Sequence, residues 1–505
     1  MTFFSRLQST FILLIASFIL IFSIYKSATT SFTHDESYTY LNYVHQNFLD
    51  IVSYKTPFTN NHILNSLGMK YSEMIFGSSE LALRLPNLLA LFLYLFFGYR
   101  MIRGILPEIK VPGYVVLCAN PYLLDFFGLA RGYGMSIGFM TTSLFFLTRY
   151  FQTGKNRDAF WFNTGAFFAV LSNFALINYY IAALVVFNVV LLLKKKKLSL
   201  QVVEKGNSLF QSNIINLTSL LATVLVIYEP FRKIIKHQFI NFGGQTGFLA
   251  DTVESSLVRF FYLAPIKPNT WGVAPIEPTW LVFYKSLVVL VPLAAFAILI
   301  FHMVKKNWTY LVNYQSLVIT NLVLLFIVLS TILQFHLLGT QYLKERFALF
   351  LVPLFLFNLI FILDYLGRQR GGKLIAMVII FTFAVSFLFN TFRNLNSRFY
   401  LDWKYDMATR EVIEILVEEK ATGHYDGIHL GANWLFSPAL NFYRGTLKLE
   451  WLTEIYQHGG LGEYDHFFYE FTEDIGKQEQ NLSGKEVLMT VEEIGTQLLR
   501  IRPEQ

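Results

Sequence analysis

Residues 8–36 read QSTFILLIASFILIFSIYKSATTSFTHDE. The segment 8–26 is apolar over roughly the 20 residues one helix needs to cross a bilayer core. It follows Arg6, is long for the apolar region of a secretory signal, and no small-x-small cleavage pattern follows Tyr25. We therefore read it as a first membrane helix, with the ionisable triplet His34-Asp35-Glu36 just beyond its end.

The rest of the chain repeats the apolar pattern. Further windows fall at about 80–101, 111–129, 133–151, 158–175, 177–193, 210–228, 280–303, 315–335, 347–366 and 373–390, which makes about eleven membrane helices. Composition agrees: 54% of the 505 residues are hydrophobic and only 15% charged, with a mean hydropathy of +0.45. A soluble domain carries about 25% charged residues, so a soluble enzyme, a disordered scaffold and a fibrous protein are excluded. The 52 Phe residues suit lipid-facing and interfacial helix surfaces. Cys118 is the single cysteine, so no intrachain disulfide can form.

Charge divides the chain in two. Residues 391–505 hold 19 acidic and 11 basic side chains, a net of −8, and residues 1–390 hold 15 and 30, a net of +15. The overall +7 therefore carries no message about nucleic acid. The basic residues collect in alternate short loops: Arg100, Arg103 and Lys110; Arg149, Lys155 and Arg157; Lys194 to Lys197 and Lys205; Lys305 and Lys306; Arg368, Arg370 and Lys373. Basic short loops mark the cytoplasmic side. The expected topology is an N-terminus inside, with loops 27–79 and 229–279, a turn at 336–346 and residues 391–505 outside, in a bacterial-type plasma membrane. Trp271 and Trp280 flank the end of the second loop as interfacial aromatics.

Two domains are expected: a membrane domain, 1–390, and a small extracytoplasmic soluble α/β domain, 391–505. In the first outer loop, 37–49 and 62–76 carry apolar residues at helical spacing and predict amphipathic surface helices. In the tail, 405–420 predicts a helix, 427–430, 447–452, 466–471 and 487–491 predict strands, and 491–501 predicts a last helix.

The residues fit for chemistry gather on the outer side. Asp35 and Glu36 could deprotonate an acceptor hydroxyl or hold a divalent cation, although no full ligand set accompanies them. The plainer reading makes Asp35 a helix cap and Glu36 a partner of the helix dipole. Asn61 and His62 form a polar wall across the loop, or a cap and a solvated first-turn residue. Arg131, Arg259 and Arg346 suit oxyanion recognition, since a planar guanidinium binds two oxygens at once; headgroup contact, or an ion pair with Glu345, is the alternative. Arg84 reads as a packing residue or the partner of a loop carboxylate. No Walker motif, dinucleotide fingerprint, zinc spacing or serine nucleophile elbow is present.

These stretches, in order, resemble a known group. The triplet 34–36, Asn61-His62, Phe76-Gly77 followed by Ala82-Leu83-Arg84-Leu85-Pro86, Ala130-Arg131-Gly132-Tyr133, and Glu345-Arg346-Phe347 with Pro353 are together similar to the GT-C superfamily. Within it they look like the bacterial protein O-mannosyltransferase and aminoarabinose-transferase family, over roughly residues 8–390. The resemblance implies an inverting glycosyltransferase that takes a sugar from a polyprenyl-phosphate donor and passes it to a hydroxyl on a lipid, glycan or protein. By the same resemblance, Asp35 is the base, His34 and Glu36 shape the site, and Arg131 and Arg346 neutralise the leaving phosphate, with Tyr133 in the place of the tyrosine in the family's Ala-Arg-x-Tyr. One departure is that Asn61 stands where members often carry a carboxylate, so a second carboxylate would come from Glu36 or elsewhere. The competing class is a transporter or lipid flippase, for which Asp125 and Asn173 are the polar residues within the apolar windows.

Overall fold

The computed structural model describes residues 3–195, 206–237, 243–261, 277–456, 461–462, 465–477 and 485–501. Trp271, Lys196, Lys197 and Lys205 lie outside them. The chain is a polytopic helical membrane protein with a small mixed sheet near its C-terminus. Seven helices among the described residues are long and apolar enough to cross a membrane: Arg6–Thr29, Glu80–Ile102, Phe174–Leu193, Phe210–Lys236, Pro278–Val304, Gln315–Leu338 and Gly372–Asn394.

Length and apolarity single out seven of the eleven expected windows; the four others are also largely helical. Asn156–Ser172 and Leu351–Gly367 have 17 residues each. Gly132–Thr153 is long enough but carries Ser136, Thr141, Thr142, Ser143 and Thr148, all turned inward and buried. The window 111–129 is broken into Pro107–Cys118 and Pro121–Gly128. The break has a local cause: Pro121 fits only the first turn of a helix, and the Asn120 side chain caps that turn by accepting from Leu123 N at 2.8 Å.

The first inter-helix loop is more finely divided than its periodicity suggests. In place of one helix over 37–49 there is His34–Thr39, a π-helical turn Tyr40–Val44, then Phe48–Val52. The wide π turn lets the segment reverse while keeping Tyr43 and Val44 fully buried. The second expected helix is Ile63–Phe76. In the second long loop, Gly206–Lys236 extends beyond its apolar window, and Phe248–Glu254 continues into the helix Ser255–Phe260.

The tail begins with a 3-10 segment, Leu401–Ala408, and the helix Thr409–Ala421. Its strands are β1 (Leu430–Ala432), β2 (Phe467–Phe471), β3 (Glu486–Val491) and β4 (Thr496–Arg500), in the order β1-β2-β4-β3. β1 and β2 are parallel, and the other pairs antiparallel. The expected helix over 491–501 is therefore wrong. Gly495, at φ +62°, turns the chain, so β4 pairs back on β3 and on β2. The stretch 447–452 makes only one bridge, between Ile428 and Leu452, because the chain turns at Lys448, φ +55°.

The tail is not tethered loosely. Phe32, Tyr40, Val44, Met69, Leu83 and Ala130 share one buried apolar cluster with tail residues such as Leu416, Leu440 and Phe467. Phe442 stacks on Phe32 at 4.2 Å. Burying a side chain of this size is worth about 1.5–3 kcal/mol, so this shared core holds the tail against the loop that carries Asp35.

Candidate active site

Asp35 sits in the first turn of the helix His34–Thr39. It is not the cap. Thr33 occupies that place, and Glu36 closes a capping box by accepting from Thr33 N at 3.0 Å and Thr33 Oγ1 at 2.9 Å. The two adjacent carboxylates therefore face opposite environments. Glu36 is fully buried and also accepts from Ala130 N at 2.6 Å and from Arg84, through Nε at 2.8 Å and Nη2 at 2.7 Å. The Asp35 side chain remains 19% exposed, with Oδ2 3.4 Å from Arg131 Nη2 and 3.8 Å from Arg346 Nη2.

The third arginine joins them through a residue of the tail. Asp402 places Oδ2 3.6 Å from Arg346 Nη1 and Oδ1 3.3 Å from Arg259 Nη1. Tyr122 donates its hydroxyl to Asp402 Oδ2 at 3.2 Å. Glu345 pairs with Arg259 at 3.1 Å, across the loops rather than with its neighbour Arg346. The result is an alternating row of three guanidiniums and three carboxylates, assembled from five separate stretches of chain. Arg346 also lies over the Trp403 ring at 5.1 Å and the Phe347 ring at 5.5 Å, contacts that favour a guanidinium.

This electrostatic setting fixes the protonation of the acids. Burial works to raise the Asp35 carboxyl, but Arg131 and Arg346, with His34 and His62, hold it below its ordinary value. Asp402 is raised, because burial outweighs Arg346 and Arg259. Asp406 is pushed well up, chiefly by burial, with Asp35 and Glu36 adding repulsion. Burial takes the His62 imidazole down to about 3, with Arg131 next in effect. His62 is therefore a neutral ring at physiological pH, and its Nε2 is buried without a hydrogen-bond partner.

The remaining expected residues divide by what they touch. His34 ties the loop to the tail: its N donates to Asp406 Oδ2 at 2.6 Å, and its Nδ1 lies 2.8 Å from Leu435 O. Asn61 fastens the loop to itself, donating from Nδ2 to Ile51 O at 3.0 Å and accepting from Ser66 Oγ at 2.8 Å. Tyr133 is buried edge-on to His62 at 5.0 Å and to Phe126 at 5.2 Å, forming the apolar wall behind Arg131. Arg131 Nη1 reaches Asp35 O, Thr39 Oγ1 and Asn60 O at 3.3–3.4 Å. The structure thus brings Asp35, Arg131, Arg259 and Arg346 together. His34, Glu36 and Asn61 hold the frame.

Gly132 is where this frame is tightest. A Cβ there would lie 1.8 Å from Ser172 O and 2.7 Å from the His62 ring. Gly132→Ala should therefore push His62 and the 172–173 turn away from Arg131. Overpacking of this kind costs about 1–3 kcal/mol, and the expected result is a lowered melting temperature in detergent, read by thermal unfolding.

Sequence reasoning missed Asp402, Trp403, Asp406 and Tyr122. The available signal was the acidic, aromatic stretch Tyr400-Leu401-Asp402-Trp403-Lys404-Tyr405-Asp406 directly after the last apolar window. The two polar residues that keep a transport pathway in play are both engaged. Asp125 pairs with Lys26 at 2.7 Å and accepts from Leu401 N at 3.0 Å, and Asn173 caps its own turn by accepting from Ala175 N. Among the described residues no group of three His, Cys, Asp or Glu could hold a metal ion; Asp35 faces guanidiniums instead.

Beside the arginines opens an apolar cavity of about 680 Å³. It is lined by Leu257 and Phe260, which flank Arg259 on one short helix, by Leu351 and Val352 a turn beyond Arg346, and by Phe383 and Phe387. Its surface is almost wholly hydrocarbon; Arg259 and Arg346 do not line it but lie on the same segments as lining residues, Arg259 between Leu257 and Phe260 and Arg346 shortly before Leu351.

No protein-family model matches the chain, and no curated protein matches it. Solved structures do. The chain is similar to ArnT from Cupriavidus metallidurans bound to undecaprenyl phosphate, at 9% identity over 97% of this chain and 98% of that one, TM-score 0.49. The archaeal oligosaccharyltransferase AglB from Archaeoglobus fulgidus, in complex with an inhibitory peptide and a dolichol-phosphate, matches at 10% identity over 94% of this chain and 70% of that one, TM-score 0.41. Arabinosyltransferase EmbB from Mycobacterium smegmatis matches at 11% identity over 86% of this chain and 42% of that one, TM-score 0.36.

Proposed function

We propose that the protein is an inverting glycosyltransferase, working at the outer face of a bacterial-type plasma membrane with its N-terminus cytoplasmic. It moves a sugar from a polyprenyl-phosphate donor to a hydroxyl on a lipid, glycan or protein. The observation that carries this reading is the row of guanidiniums joined to Asp35 and Asp402, with the short helix of Arg259 also lining the apolar cavity through Leu257 and Phe260. An isoprenoid chain fits the hydrocarbon surface, its phosphate meets the guanidiniums, and the sugar then lies toward Asp35.

The step balances with the groups present. The acceptor oxygen attacks the anomeric carbon from the face opposite the phosphate, and its proton passes to an Asp35 carboxylate oxygen. The bond from the anomeric carbon to the phosphate oxygen breaks, and the electron pair leaves with the lipid phosphate. Arg346, Arg259 and Arg131 stabilise the charge that gathers on that phosphate. Two or more guanidiniums already in place cost no reorganisation during the reaction.

The arginines also set the strength of the base. Before a phosphate binds, Arg131 and Arg346 hold the Asp35 carboxyl low. A bound phosphate takes up their field, so the carboxyl rises and becomes a better proton acceptor. Asp35 must be ionised to act, so activity is lost as pH falls through its pKa. The acid limb of kcat/KM, which reports the free enzyme, should therefore lie below the ordinary aspartate range, and the limb of kcat at higher pH. Coincident limbs would remove the link between phosphate and base.

The function itself is tested with purified protein in detergent, radiolabelled polyprenyl-phosphate sugars and a membrane extract as acceptor. Label should move to acceptor from lipid-linked donors and not from nucleotide sugars. If a folded protein transfers from neither, while proteoliposomes containing it move labelled lipid between leaflets, the chain is a flippase.

A further inference from the structure

The arginines of this protein fall into two kinds. Arg84 is saturated: its five N–H groups donate to Glu36 Oε1 and Oε2, Ser27 O, Thr30 O and Ser31 O, all at 2.7–2.9 Å. Arg346 is the opposite. Its two carboxylate contacts are long, 3.6 and 3.8 Å, and its Nε is buried without an acceptor. Arg131 is 2% exposed, and its Nε is likewise buried and unpartnered. A locked guanidinium is a structural part; one with spare buried donors and loose partners is held for another oxyanion.

What holds the loose arginines is informative. Asp402 spans Arg259 and Arg346 with one oxygen each, the two-point bridge that a phosphate makes between paired guanidiniums. It is 5% exposed, on a short helical segment kinked at Trp403, φ −127° and ψ 36°. The groups that face it are Arg259 from the helix Ser255–Phe260, Arg346 and Glu345 from the segment before Leu351–Gly367, and Tyr122 from Pro121–Gly128.

We propose that Asp402 is a built-in competitor: in the ligand-free protein it occupies the place of the donor's phosphate on Arg259 and Arg346, and the phosphate displaces it on binding. The inference rests on the phosphate reading of this site. Its physical logic is charge balance. Three guanidiniums brought together without counter-charges would repel one another in a partly dry cleft. Asp402, with Glu345 on Arg259, neutralises them until substrate arrives. The raised carboxyl of Asp402 eases its release, because a displaced acid can leave the anion's field as a neutral group. The competitor weakens affinity for the lipid phosphate, and the same weakening speeds release of the lipid-phosphate product.

Competition and positioning predict opposite signs. Binding of farnesyl phosphate to the full-length protein in detergent is the measurement, with farnesol as the uncharged control. Asp402→Asn keeps an acceptor for Tyr122 but removes the charge, and should tighten farnesyl phosphate by roughly five- to tenfold, the low end of ordinary coupling free energies. Farnesol should be unaffected. Wild-type affinity should rise more steeply than that of Asp402→Asn as pH falls, because only the wild type loses a competing charge. Asp402→Glu should stay weak. If Asp402→Asn binds equally or more weakly while wild type binds, Asp402 positions the arginines and does not compete. If Asp402→Asn does not fold, Glu345→Gln decides. Its side chain is 41% exposed, and tightening sustains the proposal whereas unchanged or weaker binding overturns it. If wild type and every variant ignore farnesyl phosphate, the phosphate reading falls, and the competitor with it.

Discussion

Asp35→Asn should abolish sugar transfer while leaving the protein folded. A positioned general base is worth about 10²- to 10⁴-fold, or about 3–5 kcal/mol in the barrier. The structure explains why this variant is a clean probe. The contacts by which residue 35 supports the fold are made by its main-chain oxygen, which accepts from Asn60 Nδ2 at 3.0 Å, Thr39 Oγ1 at 2.9 Å and Arg131 Nη1 at 3.4 Å. Asparagine keeps them all. Its side chain makes only the two long ion pairs, so the melting temperature should move by no more than a couple of degrees, on the scale of a pair worth about 0–1 kcal/mol. Full transfer by a normally folded Asp35→Asn would send the search for the base to Asp402.

The largest loss of stability is expected one residue further on. Arg84→Ala removes five donors from a site with no exposure, leaving Glu36 without its guanidinium partner and three main-chain oxygens without their donors. Breaking a buried pair by deleting one member costs about 3–5 kcal/mol. Arg84→Lys keeps the charge, but an ammonium has three donors where five acceptors wait, so it should rescue little. Yield of monodisperse protein in detergent and the melting temperature are the readouts. An Arg84→Ala protein that melts like wild type would show that the pair contributes nothing to holding Thr33 to Glu36 in place. The effect on activity should follow, because Glu36 also accepts from Ala130 N, next to Arg131.

These two neighbours show where sequence reading stops. Asp35 and Glu36 carry the same chemistry at adjacent positions, and a helix turns adjacent residues about 100° apart. Nothing local says which faces the cleft; only the approach of Arg84 from another helix settles it. The apolar windows were legible because lipid burial demands long hydrocarbon runs, yet hydropathy alone could not separate a crossing helix from Gly132–Thr153, which hides its polar residues against neighbours. Leu498 and Leu499 fit a helical or an extended period equally well; the turn at Gly495 chose the strand. Asp402 was invisible for a different reason. It enters the site because its neighbours Tyr400 and Leu401 donate to Gly128 O and Asp125 Oδ2, contacts across most of the chain that no window of neighbouring residues encodes.

That return of the tail has a consequence for the making of the protein. The corner formed by Glu36 and Arg84 can close once the second long apolar helix has been synthesised, so the base is held early. Arg346 and Asp402 are added on the order of tens of seconds later, at about 5–20 residues per second. Until Arg346 is made, Arg131 is the one guanidinium of the row that Asp35 can pair with. A chain released before residue 402 would keep the corner of Glu36 and Arg84 but lack the carboxylate that bridges Arg259 and Arg346. The alternating row of charges is thus complete only when about a hundred residues of the chain remain to be made.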